Sequence, residues 1–145
     1  MNEIRHVGIV VESIDSSRTI WLDVLGFNVI SDEIESGPEI DGLLGIKGTV
    51  VRSLKMSTAQ KNSAVELLEF HFPKDKESQG VQLVYALGIR HIALTVKHLD
   101  RLLNELEDHG IFKVGEITTS KSGKTKGIYV STKDGLFLEL VEELE

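Results

Sequence analysis

Apolar and polar residues alternate along this chain with two periods, and the switches between them mark out its elements. Residues 4–11 hold Ile4, Val7, Ile9, Val10 and Val11, a short run rich in β-branched side chains that predicts a buried strand. In residues 16–25, Ile20, Trp21, Val24 and Leu25 fall at helical spacing, and Gly26 is placed to end the helix. Residues 27–30 begin a second strand. Residues 31–48 carry Pro38 and glycines at 37, 42, 45 and 48, and read as a loop or a lid over a binding face. Residues 49–56 and 64–72 read as two further strands, joined by the polar stretch 57–63. The first half is thus strand, helix, three strands.

A charged linker at 73–80 and a short apolar turn or helix at 81–87 lead into a second round of the same order. Residues 90–96 predict a strand. Leu99, Leu102, Leu103 and Leu106 form a stripe at i, i+3, i+4, i+7, and Gly110 ends it. Residues 111–118, 127–132 and 136–142 predict the remaining strands, the last two joined by Lys133-Asp134-Gly135, a hairpin signal. The expected organisation is a single domain over 1–145, with module one at about 1–73, a linker at about 74–88 and module two at about 89–145.

The two halves share more than their order. His6-Val7-Gly8-Ile9-Val10-Val11, followed by Ile14-Asp15, returns as His91-Ile92-Ala93-Leu94-Thr95-Val96, followed by Leu99-Asp100, at an offset of 91 − 6 = 85. Val65-Glu66-Leu67-Leu68-Glu69 returns as Leu138-Glu139-Leu140-Val141-Glu142 at 139 − 66 = 73. The first copy is therefore longer by 85 − 73 = 12 residues, most of them in 31–48. A period near half the chain indicates two fused modules rather than a solenoid. Each copy contributes one histidine and two glutamates. Because strand residues two apart share a face, Glu66 goes with Leu68 and Phe70 while Glu69 points the other way, and spacing leaves both Glu66/Glu139 and Glu69/Glu142 open.

Charge narrows the partners. A net charge of −7, from 23 acidic and 16 basic residues, repels phosphate backbones and argues against nucleic acid. With no cysteine there is neither a disulfide framework nor a thiolate metal site, so a metal must use imidazole and carboxylate, and a reducing cytoplasm costs the chain nothing. No apolar run approaches the roughly 18 residues that span a bilayer, and the N-terminus has no apolar signal core. The expectation is a cytoplasmic protein with no membrane partner.

Five segments together resemble one family: HVGIVV around His6, SSRTIWLDVLGF, VELLEF around Glu66, RHIALTV around His91, and DGLFLELVE around Glu139. They are similar to the vicinal oxygen chelate superfamily, which includes glyoxalase I, methylmalonyl-CoA epimerase, extradiol dioxygenases and bleomycin- and fosfomycin-resistance proteins. The resemblance implies an α+β fold of two tandem βαβββ modules that form an incomplete, curled β-barrel around a metal site. It also implies Glu66 and Glu139 over Glu69 and Glu142, and so a metal set of His6, Glu66, His91 and Glu139. It further implies a small-molecule substrate and a homodimer.

Two imidazoles and two carboxylates suit one divalent ion, Zn, Ni, Co, Mn or Fe, with adjacent positions left for a substrate that chelates through vicinal oxygens. Lewis acidity there favours proton abstraction beside a carbonyl and stabilises an enediolate. The expected activity is that of a glyoxalase-like lyase, isomerase or epimerase, with Glu139 or Glu66 as the base. One alternative keeps His6, His91 and Glu139 as the facial triad of an Fe(II) extradiol-type dioxygenase. Another is a non-catalytic binding or resistance protein. A lone strand histidine is usually a satisfied polar residue, and recurrence in both copies is what lifts His6 and His91 above that. Arg52 is an inward candidate for holding a carboxylate or phosphate. Trp21 reads as core, and His71, His98 and His109 as surface.

Overall fold

The computed structural model describes residues 2–60, 64–75 and 83–145. The chain divides into two compact units, Met1–Lys76 and Glu77–Glu145, each holding one copy of the repeat. In the first, β1 (Val7–Val10) is followed by α1 (Ile14–Arg18), which continues as a π-helical stretch, Thr19–Val24. Next come β2 (Asn28–Ser36), α2 (Pro38–Leu44), β3 (Val50–Ser57) and β4 (Ala64–Phe72). The sheet order is β1-β4-β3-β2, with β1 parallel to β4 and the other pairs antiparallel.

The second unit repeats this plan. It comprises β5 (His91–Val96), α3 (Leu99–Asp108), β6 (Phe112–Lys113), β7 (Thr118–Thr119), β8 (Thr125–Ser131) and β9 (Phe137–Glu143). Its order is β5-β9-β8-β6, β7 also pairs with β8, and β5 runs parallel to β9 as β1 does to β4. The fold is therefore α+β, built from two βαβββ modules whose mixed sheets do not close on themselves.

α1, with its π-helical continuation, and α3 each cover the apolar face of their own sheet. Ile14, Trp21, Leu54, Met56 and Leu67 are buried in the first unit, and Leu99, Leu106, Val130, Leu138 and Leu140 in the second. At roughly 1.5–3 kcal/mol for each fully buried side chain, this burial is the main favourable term within each unit. α1 starts at Ile14, earlier than the spacing of 16–25 suggests, because Ser13 is extended and its hydroxyl accepts from the Ser16 N–H at 3.2 Å. The π-helical stretch closes with Leu25 N–H donating to the Ile20 carbonyl, five residues back. Ile14–Val24 thus spans 5 + 6 = 11 residues, against 10 in α3.

The structure differs from expectation at three places. Residues 31–36 belong to β2, paired with β3 as far as Ser36 opposite Val50, and are not loop. β2 lies at the sheet edge, where polar side chains are tolerated, so its composition concealed it. Residues 38–44 are helical, and the Asp41 carboxylate accepts from Gly48 and Thr49 N–H at 2.9 and 2.8 Å, pinning the expected lid as a helical turn. The strand expected at 111–118 is split into β6 and β7, because Val114 and Gly115 N–H both turn to the Tyr129 carbonyl. Residues 83–87 form a turn, with Ala86 N–H donating to the Leu83 carbonyl. Residues 61–63, and 76–82 of the expected linker and apolar segment, lie outside the described residues.

Candidate functional site

Register assigns every strand residue to the helix-covered face or the opposite one. In the second unit, Leu138, Leu140, Ile128 and Val130 take the helix face, while His91, Ala93, Tyr129 and Glu139 share the other. There His91 Nε2 lies 3.4 Å from Glu139 Oε2. The Tyr129 hydroxyl lies 3.4 Å from the same nitrogen, and its ring meets the imidazole edge-on at 5.0 Å between centroids. Burial, and then the Glu139 carboxylate, push the Tyr129 hydroxyl above its ordinary pKa. Two donors bound about 2.1 Å from one ion stand about 3.0–3.4 Å apart, so the separation of the His91–Glu139 pair is one that two ligands of a divalent metal can take.

The first unit carries the matching residues in a different state. Glu66 lies level with Gly8 on the face opposite the helix, and His6 is exposed just before β1. Glu66 Oε2 stands 3.7 Å from Lys55 Nζ, directly across the β3–β4 ladder. The donor types suit a metal, but this carboxylate already has a cation beside it. Among the described residues, no three His, Asp or Glu side chains are gathered around a common point that could hold an ion. The units present a His–Glu pair in one case and a Lys–Glu pair in the other.

The second glutamate of the repeat does different work. Glu142 lies on the helix face, where its carboxylate accepts from Leu99 N–H at 2.9 Å at the start of α3. His98 there is left-handed and its side chain makes no capping bond, so a carboxylate from β9 supplies the cap that Ser13 supplies in α1. The Leu99 bond and the nearby Lys126 ammonium hold Glu142 below its ordinary pKa. Glu69 stands across from Arg52, 3.9 Å from His71 Nε2.

Arg52 is not an inward anion anchor. It lies on the helix face, where its guanidinium donates to Asp32 at 2.9 and 3.0 Å and to Asp15 at 2.9 Å, tying β3 to β2 and to the first turn of α1. The Arg52 hydrogen bonds hold the Asp32 carboxyl below its ordinary pKa. Lys126 repeats the arrangement, reaching Asp100 at 2.6 Å and Glu142 at 3.5 Å. Asp15 and Asp100 are repeat partners, so the duplicated aspartate was the available sign that Arg52 is structural. His71, His98 and His109 are exposed, and Trp21 is buried edge-on to Phe27 at 5.1 Å. Sequence reasoning missed Lys55 and Tyr129. They stand across from Glu66 and Glu139, and only the hairpin register reveals it.

A fold of two βαβββ modules, each with a glutamate on the face opposite its helix, defines the class, and residues 3–140 match the family model for the Glyoxalase/Bleomycin resistance protein/Dioxygenase superfamily. The chain belongs to that superfamily. It is 26% identical over 144 residues to the uncharacterised YaeR of Escherichia coli strain K12, covering 99% of this chain and 98% of that one. It is 27% identical over 146 residues to the uncharacterised YwkD of Bacillus subtilis strain 168, with the same coverage of 99% and 98%. The crystal structure of a glyoxalase family protein from Bacillus cereus superposes with a TM-score of 0.90 at 26% identity, covering 99% and 97%. The fold extends to the trypanothione-dependent glyoxalase I of Leishmania major, at TM-score 0.63 and 19% identity over 99% and 88% of the chains. It extends equally to TnmS3, an antibiotic-binding protein of Streptomyces, at TM-score 0.63 and 14% identity over 99% and 98%.

Proposed function

We propose that this chain is a divalent-metal-dependent lyase, isomerase or epimerase of glyoxalase type, with His6, Glu66, His91 and Glu139 as the metal ligands. Its substrate is a small molecule that chelates through vicinal oxygens. The observation that carries the reading is the His91–Glu139 pair, two donors 3.4 Å apart on the face opposite the helix. A bound Zn, Ni, Co, Mn or Fe ion supplies Lewis acidity toward a carbonyl oxygen. Tyr129 orients the His91 ring through its edge-on contact. Glu139, half-buried, takes the proton adjacent to that carbonyl, and Glu66 is the symmetry-related candidate for the same role.

A second reading, a binding protein that performs no chemistry, is favoured by the ammonium of Lys55 at Glu66, which offsets the charge of one ligand. Metal stoichiometry separates the two. The zinc-reconstituted parent is expected to hold about one ion per chain, and His91→Ala, Glu139→Ala and Glu66→Ala each to weaken it at least roughly tenfold. Turnover of α-hydroxycarbonyl or thioester substrates should fall with occupancy. A metal-free parent that binds an organic ligand tightly overturns the enzyme reading. The same reading makes the protein a homodimer, supported by strongly exposed apolar side chains at Ile4, Tyr85, Leu87 and Ile89. Sedimentation equilibrium on those samples should give twice the 16.1 kDa chain mass, and a monomer mass refutes it.

A further inference from the structure

In the second unit the face that holds His91, Tyr129 and Glu139 runs into an apolar edge. Phe112 on β6 pairs with Ser131, two residues along β8 from Tyr129, and Val114 follows with its N–H on the Tyr129 carbonyl. Their neighbours fix where they point. Ile111 is buried and Lys113 reaches Glu107 on α3 at 3.4 Å, so both take the helix face, and Phe112 and Val114 take the other. There they are 59% and 44% exposed. Phe112 is a diagonal neighbour of Tyr129, at the roughly 7–8 Å that aromatic side chains can span. The sheet order β5-β9-β8-β6 thus sets Tyr129 between His91 and this apolar pair.

The fold itself does not ask for apolar groups at this edge. In the first unit Asn28 pairs with Ser57 as Phe112 does with Ser131, at an offset of 112 − 28 = 84, the same as between Gly26 and Gly110. Ser31 stands across from Lys55 where Val114 meets Tyr129. Both of those seats are polar. Two side chains offer far less than the roughly 800 Å² per partner of a stable protein interface, but they match a single ring. A few convergent polar groups beside an apolar wall are the makings of a small-molecule site.

We infer that Phe112, backed by Val114, is a specificity-determining residue: it receives an aromatic ring on a small molecule whose hydroxyl and carbonyl oxygens engage Glu139 and Tyr129. The inference rests on the vicinal-oxygen reading above and narrows its substrate class to 2-hydroxycarbonyl compounds that carry an aryl group. Glu139 accepts from the hydroxyl, Tyr129 donates to the carbonyl oxygen, and the ring packs offset or edge-on against Phe112. These contacts need the second unit alone.

Lactamide and mandelamide share a neutral hydroxyl–amide head and differ only in methyl against phenyl. Their dissociation constants are to be measured by ligand-observed NMR titration, with and without added zinc, on parent and variants. The parent should bind mandelamide about fivefold more tightly than lactamide. Phe112→Ala should erase that preference and leave lactamide affinity unchanged. Phe112→Asn, which installs the side chain of the matching seat in the first unit, should do the same, while Phe112→Tyr should keep the preference. Equal losses for both compounds, or a parent that binds the two alike, overturn the inference, and lactamide binding then leaves the vicinal-oxygen reading standing. A parent that binds neither compound removes that reading, and the inference with it. If Phe112→Ala halves the sedimenting mass and leaves the ring preference intact, Phe112 belongs to an interface between copies and the inference is likewise overturned.

Discussion

Glu139 and Glu142 sit three positions apart on one strand and meet different partners. Glu139 faces His91, and Glu142 caps α3 through Leu99 N–H. Glu142→Ala should therefore lower the melting temperature while leaving zinc stoichiometry unchanged, whereas Glu139→Ala should do the reverse. Thermal denaturation alongside metal analysis checks both halves of that contrast. The repeat made both glutamates visible in the sequence, along with both histidines. It did not reveal their division of labour, because strand alternation says that residues three apart lie on opposite faces without saying which face the helix covers. That is fixed by Leu138 and Leu140, fully buried on the side that Glu142 shares.

Among the elements, β8 carries the tightest constraint. A Cβ added at Gly127 would stand 2.8 Å from the Leu140 carbonyl oxygen on β9, a backbone atom that cannot swing away. Gly127→Ala is expected to cost about 1–3 kcal/mol by forcing the β8–β9 ladder apart, read as a shift in the denaturation midpoint with the urea slope unchanged. Because Tyr129 lies two residues along the same strand and Glu139 is its partner on β9, zinc affinity should weaken as well. Strands with an apolar face, such as β4 and β9, were legible from their periodicity. β2 was legible only at its start, since beyond Ile30 its sequence Ser31-Asp32-Glu33 is indistinguishable from loop until pairing with β3 supplies its backbone partners.

At the scale of the whole chain, the same aspartate–cation tie occurs once in each half, Asp15 with Arg52 and Asp100 with Lys126. The Asp32 and Asp100 ion pairs and the α3 cap contribute to the response to pH. Asp32 and Asp100, from an ordinary 3.8, and Glu142, from an ordinary 4.5, all have folded-state values depressed by their partners. Their contributions are fully present above those ordinary values and are lost as pH falls through the lower folded ones. The melting temperature should hold between about pH 7 and 5 and decline below about 4.5, and Glu142→Gln should make the decline shallower. Lys126 is raised by Asp100, so its contribution survives until pH climbs past its ordinary 10.5. The halves are nevertheless not identical in length. Asp15 and Asp100 stand 85 apart, whereas Gly26 and Gly110, the left-handed residues after each helix, stand 110 − 26 = 84 apart. One residue separates the two counts, and the wide turn at Thr19–Val24 is where it is stored. Loosening one helical turn absorbs the extra residue, so that the first half passes between the same two landmarks, aspartate and glycine, with one residue more than the second.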